Sequence, residues 1–100
     1  MHIYYLMMEA KPCSNNPESH QFGGAYVNCW VKAKNARLAL QSAENFLNSE
    51  GWEFVNVEEM DLSSRDSYLN EPEFLDCYDF ACQNGVGAIF HTWEIEEDVS

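Results

Sequence analysis

Basic residues are scarce in this sequence of 100 residues: five Lys and Arg stand against seventeen Asp and Glu, a formal net charge of −12. Gripping nucleic acid requires cations to neutralise phosphates, and an anionic membrane surface makes the same demand, so neither is expected as a partner. Proline occurs three times and glycine five times, which argues against a collagen-like or low-complexity chain and leaves room for long unbroken elements. Long apolar runs are lacking as well. The N-terminal one, Ile3 to Met8, is six residues, too short for a membrane span or the core of a secretory leader. Without a leader, Cys13, Cys29, Cys77 and Cys82 are expected as reduced thiols of a cytoplasmic protein. The sequence has no Cys-x-x-Cys spacing, and no metal or other cofactor is expected. Cys13 and His20 come nearest to a zinc-ligand pair.

The charge is unevenly placed. Residues 1–50 balance Glu9, Glu18, Glu44 and Glu50 against Lys11, Lys32, Lys34 and Arg37, whereas residues 51–100 hold thirteen acids and the single base Arg65. Hydrophobic residues make up 46% and aromatic residues 14% of the chain, enough to fill one modest core. One domain over residues 1–95 is expected, followed by an acidic tail at 96–100.

Periodicity supplies the elements. His2 to Ala10 mixes aromatic and aliphatic residues and reads as a strand covered on both faces, followed by a polar loop from Lys11. Ala25 to Lys34 alternates, with Ala25, Val27, Cys29, Val31 and Ala33 on one face and Tyr26, Asn28, Trp30, Lys32 and Lys34 on the other. Asn35 then suits a helix N-cap, Ala36, Ala39, Leu40, Ala43 and Leu47 repeat at helical spacing with Phe46 flanking them, and Gly51 suits the C-terminal cap, which predicts a helix over 36–50. Trp52 to Met60 alternates again. Pro72 fits a first helical turn, Phe74, Cys77, Tyr78 and Ala81 form one stripe, Asn84-Gly85 ends the helix, and Val86 to Ile95 reads as a last strand. The order β-β-α-β-α-β predicts an α+β fold: a two-layer sandwich of ferredoxin-like type, a four-stranded, mainly antiparallel sheet with two helices on one face. The other face would carry Tyr26, Trp30 and Trp93 as exposed aromatic area, which suggests a seam between two copies.

Residues able to do chemistry are few. Gly23-Gly24 precedes a strand and lacks a following P-loop lysine, so it reads as a tight turn into that strand before it reads as an anion cradle. His91, between Phe90 and Trp93, is a candidate acid or base, and pairing it with Cys29 as nucleophile requires both on one face. No catalytic set emerges, and a non-enzymatic role is favoured. The acids of the second half are more than solubility asks for, and a concentrated negative surface speeds encounter with a basic partner. Glu73, Asp76 and Asp79 on the second helix are the expected partner-binding residues. The expectation is thus a homodimeric protein-binding module, immunity- or inhibitor-like in its charge. The alternative is a small-molecule- or metal-binding domain or small enzyme with a pocket between the sheet and the 11–24 loop. Tyr26, Trp30, His91 and Trp93 would line that pocket or, in the dimer, the interface.

Overall fold

The computed structural model describes residues 1–95, and the expected acidic tail at 96–100 lies outside the described residues. Strands β1 (His2–Pro12), β2 (Phe22–Ala33), β3 (Trp52–Leu62) and β4 (Val86–Glu94) are joined by helices α1 (Ala36–Ser49) and α2 (Pro72–Asn84), with 3-10 turns at Pro17–His20 and Arg65–Tyr68. The expected α+β class and element order are therefore present, with all four strands in one antiparallel sheet. Strand order is β3-β1-β2-β4, which puts the two most buried strands in the middle.

Local chemistry explains the boundaries. The Asn35 side chain accepts from the Leu38 amide at 2.9 Å and starts α1, and Pro72 occupies the first turn of α2, where a missing N–H costs nothing. Both helices are followed by a glycine with positive φ, Gly51 at 82° and Gly85 at 100°, a conformation that a Cβ would strain. Asn16 locks the first long loop onto that turn, its Nδ2 donating to the Gly51 carbonyl at 2.8 Å. None of the helices among the described residues is long and apolar enough to cross a membrane.

The alternation in β2 divides the core. Val27, Cys29 and Val31 point to one face with Leu6 and Met8 of β1, and there Ala39, Ala43 and Leu47 of α1 seal them. Two of these three contacts are alanines, whose short side chains let the helix sit low on the sheet. Trp52, Phe46 and Phe90 close the end of this layer, with ring centroids 5.6 Å apart for Trp52 and Phe90 and 6.3 Å for Phe46 and Phe90.

Placement of the second helix differs from expectation. Rather than joining α1, α2 lies on the opposite face, where Ala81 and the half-buried Phe74, Cys77, Tyr78 and Cys82 pack with Ile3, Trp30 and Ile89. Trp30 supplies the physical reason. Its ring points away from the α1 layer, and an exposed indole at the sheet centre would leave a large apolar area in water. Phe74 at 5.1 Å, Tyr68 at 5.7 Å and Tyr5 at 5.2 Å from its ring enclose it completely. Gly87 makes the close approach possible, because a Cβ there would enter the backbone carbonyl of Cys77 in α2. The connector before α2 contributes Tyr68 to this layer. It is tied to α2 by Arg65, whose Nε and Nη2 donate to the Asp79 carboxylate at 2.9 and 3.2 Å.

Candidate functional site

Because α2 covers only the Trp30 end of its face, the other end of the sheet is bare. Register places Glu9 of β1 opposite Tyr26 of β2 and Tyr26 opposite His91 of β4, so these three side chains form one row across that face. Next to the row, Trp93 folds over the two glycines of β2. A Cβ on Gly24 would run into the Trp93 six-membered ring, and one on Gly23 would come within 3.0 Å of its Nε1. Gly23-Gly24 is therefore a shelf for an indole within the first turns of a strand. Tyr26 completes the pair, with ring centroids 5.1 Å apart, and both aromatic residues remain more than a third exposed.

A polar chain runs diagonally beneath them. His91 Nε2 lies 2.7 Å from Asn28 Oδ1, and Asn28 Nδ2 donates to the Tyr5 hydroxyl, also at 2.7 Å. Asn28 is 8% exposed, so its amide is satisfied by these two neighbours rather than by water. Burial pushes the Tyr5 hydroxyl above its ordinary range; the hydrogen bond from Asn28 opposes the rise, and Glu59 and Asp61 on β3 add to it. Tyr5 accordingly stays protonated at neutral pH. Sequence reading passed over Asn28 and Tyr5, although cross-strand diagonal positions in alternating strands were the signal that could have linked them to His91.

The four residues expected to line a pocket or a dimer seam thus divide. Tyr26, His91 and Trp93 come together on the bare half-face, whereas Trp30 is wholly buried under α2 and offers nothing to a ligand or a second copy. The loop of residues 11–24 is anchored at the turn after α1, and the cavity beside it is lined by His20, Gln21, Glu94 and Ile95 and by none of that trio. Cys29 sits in the α1 layer and His91 on the opposite face, so they form no nucleophile and base pair. Burial pushes the Cys29 thiol up to about 12, with the neighbouring Cys77 adding to the rise, which makes it an inert core residue. Among the described residues, no three His, Cys, Asp or Glu side chains gather so as to hold a metal ion.

The three acids singled out on α2 also take separate roles. Asp79 is held by Arg65, whose hydrogen bonds keep its carboxyl below the usual aspartate range. Its folded pKa is depressed, so this link is present at neutral pH and is lost only as acid titrates Asp79 through that lowered value. Glu73 and Asp76 are exposed, and Asp76 faces a groove of about 450 Å³ that also takes in Phe46 of α1, Glu50 just after it, Phe80 of α2, and Val86 and Ala88 of β4. Beyond them, Glu53, Glu58, Glu59 and Asp61 run along β3, where Lys11 approaches Glu53 at 3.7 Å. Set against known proteins, the chain matches no family model, no curated protein and no solved structure.

Proposed function

We propose that this protein is a non-enzymatic binding module that receives a basic protein on its acidic surface. The observation that carries the reading is how the charges are paired. The only base of the second half, Arg65, is spent on Asp79, and Lys11 meets only Glu53 of β3, which leaves Glu58, Glu59 and Asp61 of that strand and the exposed Glu73 and Asp76 to face solvent. Such a surface steers a cationic partner and speeds association, as immunity proteins and nucleic-acid-mimicking inhibitors do by the same physics. Four free thiols fit a reducing compartment such as the cytoplasm. Self-association through the sheet is the less favoured form of this reading, since α2 occupies half of the face and two copies would bring Glu9 and Glu59 together in a chain of net charge −12.

The Glu73→Lys/Asp76→Lys double variant tests the reading without touching the Arg65–Asp79 pair. Capture of binding proteins from cell extract, followed by association kinetics on the purified partner, should show the on-rate falling about tenfold and its salt dependence flattening. Equal rates for the wild type and the variant would reject the module as described.

The His91–Asn28–Tyr5 chain favours one second reading, in which the bare half-face holds a small molecule between the Tyr26–Trp93 pair and His91. A polar handle fixed by buried hydrogen bonds beside two exposed rings is the usual make-up of a ligand shelf. In a thermal-shift screen, a stabilising compound should lose its effect in both His91→Ala and Tyr26→Phe. Full shifts retained in both variants would remove this reading.

A further inference from the structure

The two edges of the sheet are built differently. Edge strands display unpaired N–H and C=O groups, and folded proteins commonly disarm them with charge, proline or bulges. Strand β3 is disarmed: it carries four carboxylates, and its pairing with β1 shifts register twice, between Met7 and Met8 and between Glu9 and Ala10. Strand β4 is not. From Val86 to Trp93 it contains no charged residue and no proline, and its register with β2 runs unbroken from Gly24 to Val31.

Helices on opposite faces of the sheet form the walls beside this open edge. Phe46 of α1 and Glu50 at its C-terminal cap stand on one side and Asp76 and Phe80 of α2 on the other, around the start of β4. Phe80 is 56% exposed, a large apolar side chain with too little to cover it. A strand added along β4 would turn its side chains alternately toward the two walls and bury that ring. Glu50 and Asp76 stand at the Val86 end, and neither has an ion-pair partner among the described residues.

The geometry points to β4 as a docking edge for an extended, uncharged segment of a partner protein, running antiparallel to β4 and carrying lysine or arginine at its C-terminal end. Antiparallel addition continues the pairing of every strand in the sheet, and it brings the C-terminus of the segment to Val86, beside Glu50 and Asp76. A second copy fits poorly, because pairing β4 with β4 in this sense would bring Glu94 of one chain to Glu50 and Asp76 of the other. The inference rests on the basic-partner reading above and specifies which part of the partner is held and where.

The test uses a synthetic peptide of alternating threonine and valine, nine residues as in β4, followed by two lysines. Its companions are the same peptide ending in two glutamates and one with alternate backbone nitrogens methylated. The lysine peptide should protect β4 amides from hydrogen exchange and leave β3 amides unchanged. Glu50→Lys/Asp76→Lys should weaken it about tenfold and improve the glutamate peptide, while Phe80→Ser should weaken both. Equal binding of the methylated peptide, protection elsewhere than on β4, or no binding at all would overturn strand docking. Protection of β4 in the free protein together with a dimeric mass would overturn it too, by giving the edge to a second copy. If these peptide results fail while Glu73→Lys/Asp76→Lys still slows the captured partner, strand docking falls and the basic-partner reading stands.

Discussion

Trp30→Ala should cost about 4 kcal/mol of stability, the range found when a large aromatic is deleted from a packed interior. Trp30 is fully buried and is the common neighbour of Tyr5, Tyr68 and Phe74, so the truncation empties the centre of the α2 layer. A domain of this size has roughly 5–15 kcal/mol in total, which makes the loss a large fraction of the whole. Urea unfolding followed by circular dichroism would measure it, and amide exchange should show α2 opening before α1. Trp30→Phe is the informative companion. The indole Nε1 has no hydrogen-bond partner despite its burial, an arrangement that costs about 1–3 kcal/mol, and phenylalanine removes that group while keeping a ring against Phe74. The phenylalanine variant should therefore lose much less than the alanine one. A loss below about 1 kcal/mol for Trp30→Ala would mean that α2 is not seated on this ring.

Gly87→Ala should be nearly as damaging, for the opposite reason. The added methyl group meets backbone, with the Cys77 carbonyl oxygen in its path and the Cys77 carbonyl carbon and Cα at 3.1 and 3.2 Å. Neither a strand held on one side by β2 nor a helix backbone can turn aside as a side chain can. Overpacking of this kind costs about 1–3 kcal/mol, and the upper end is expected here. At about 4–8 °C per kcal/mol for a domain of this size, melting should occur some 10–20 °C lower. Gly23→Ala is the control: the nearest atom to its Cβ is the Trp93 side-chain nitrogen at 3.0 Å, on an indole that can swing outward, so its melting temperature should change by only a few degrees. Equal effects from the two substitutions would show that α2 does not press on β4 at Gly87.

These two substitutions fall where sequence reasoning and structure part. Element positions were readable because they depend on neighbours in the chain. Asn35 caps α1 with its own side chain, Pro72 starts α2, Gly51 and Gly85 supply the positive φ after each helix, and alternation in β2 sorts Cys29 from Trp30 before any partner strand is known. The concentration of acid in the second half is likewise a property of the chain. Part of the candidate site was legible in the same way: Tyr26, His91 and Trp93 were expected together and lie together, because two-residue alternation and an antiparallel register put them on one face.

Tertiary structure alone decided which face each helix takes. Both helices carry one apolar stripe, and a stripe does not say which side of a sheet it will cover. That choice follows from matching three-dimensional surfaces: the alanines of α1 against a smooth face of Leu6, Val27 and Cys29, and the aromatic stripe of α2 against Trp30 and the flat ground of Gly87. From that one decision follow the burial of Trp30, the halving of the open face, and the walls around β4. The Arg65–Asp79 pair, fourteen positions apart, and the Tyr5–Asn28–His91 chain, which joins three strands, have the same origin. Sequence determined the elements and their charge, since those are local sums over the chain; the fold decided which charges stay unpaired and which edge stays open, since those depend on what folding brings alongside.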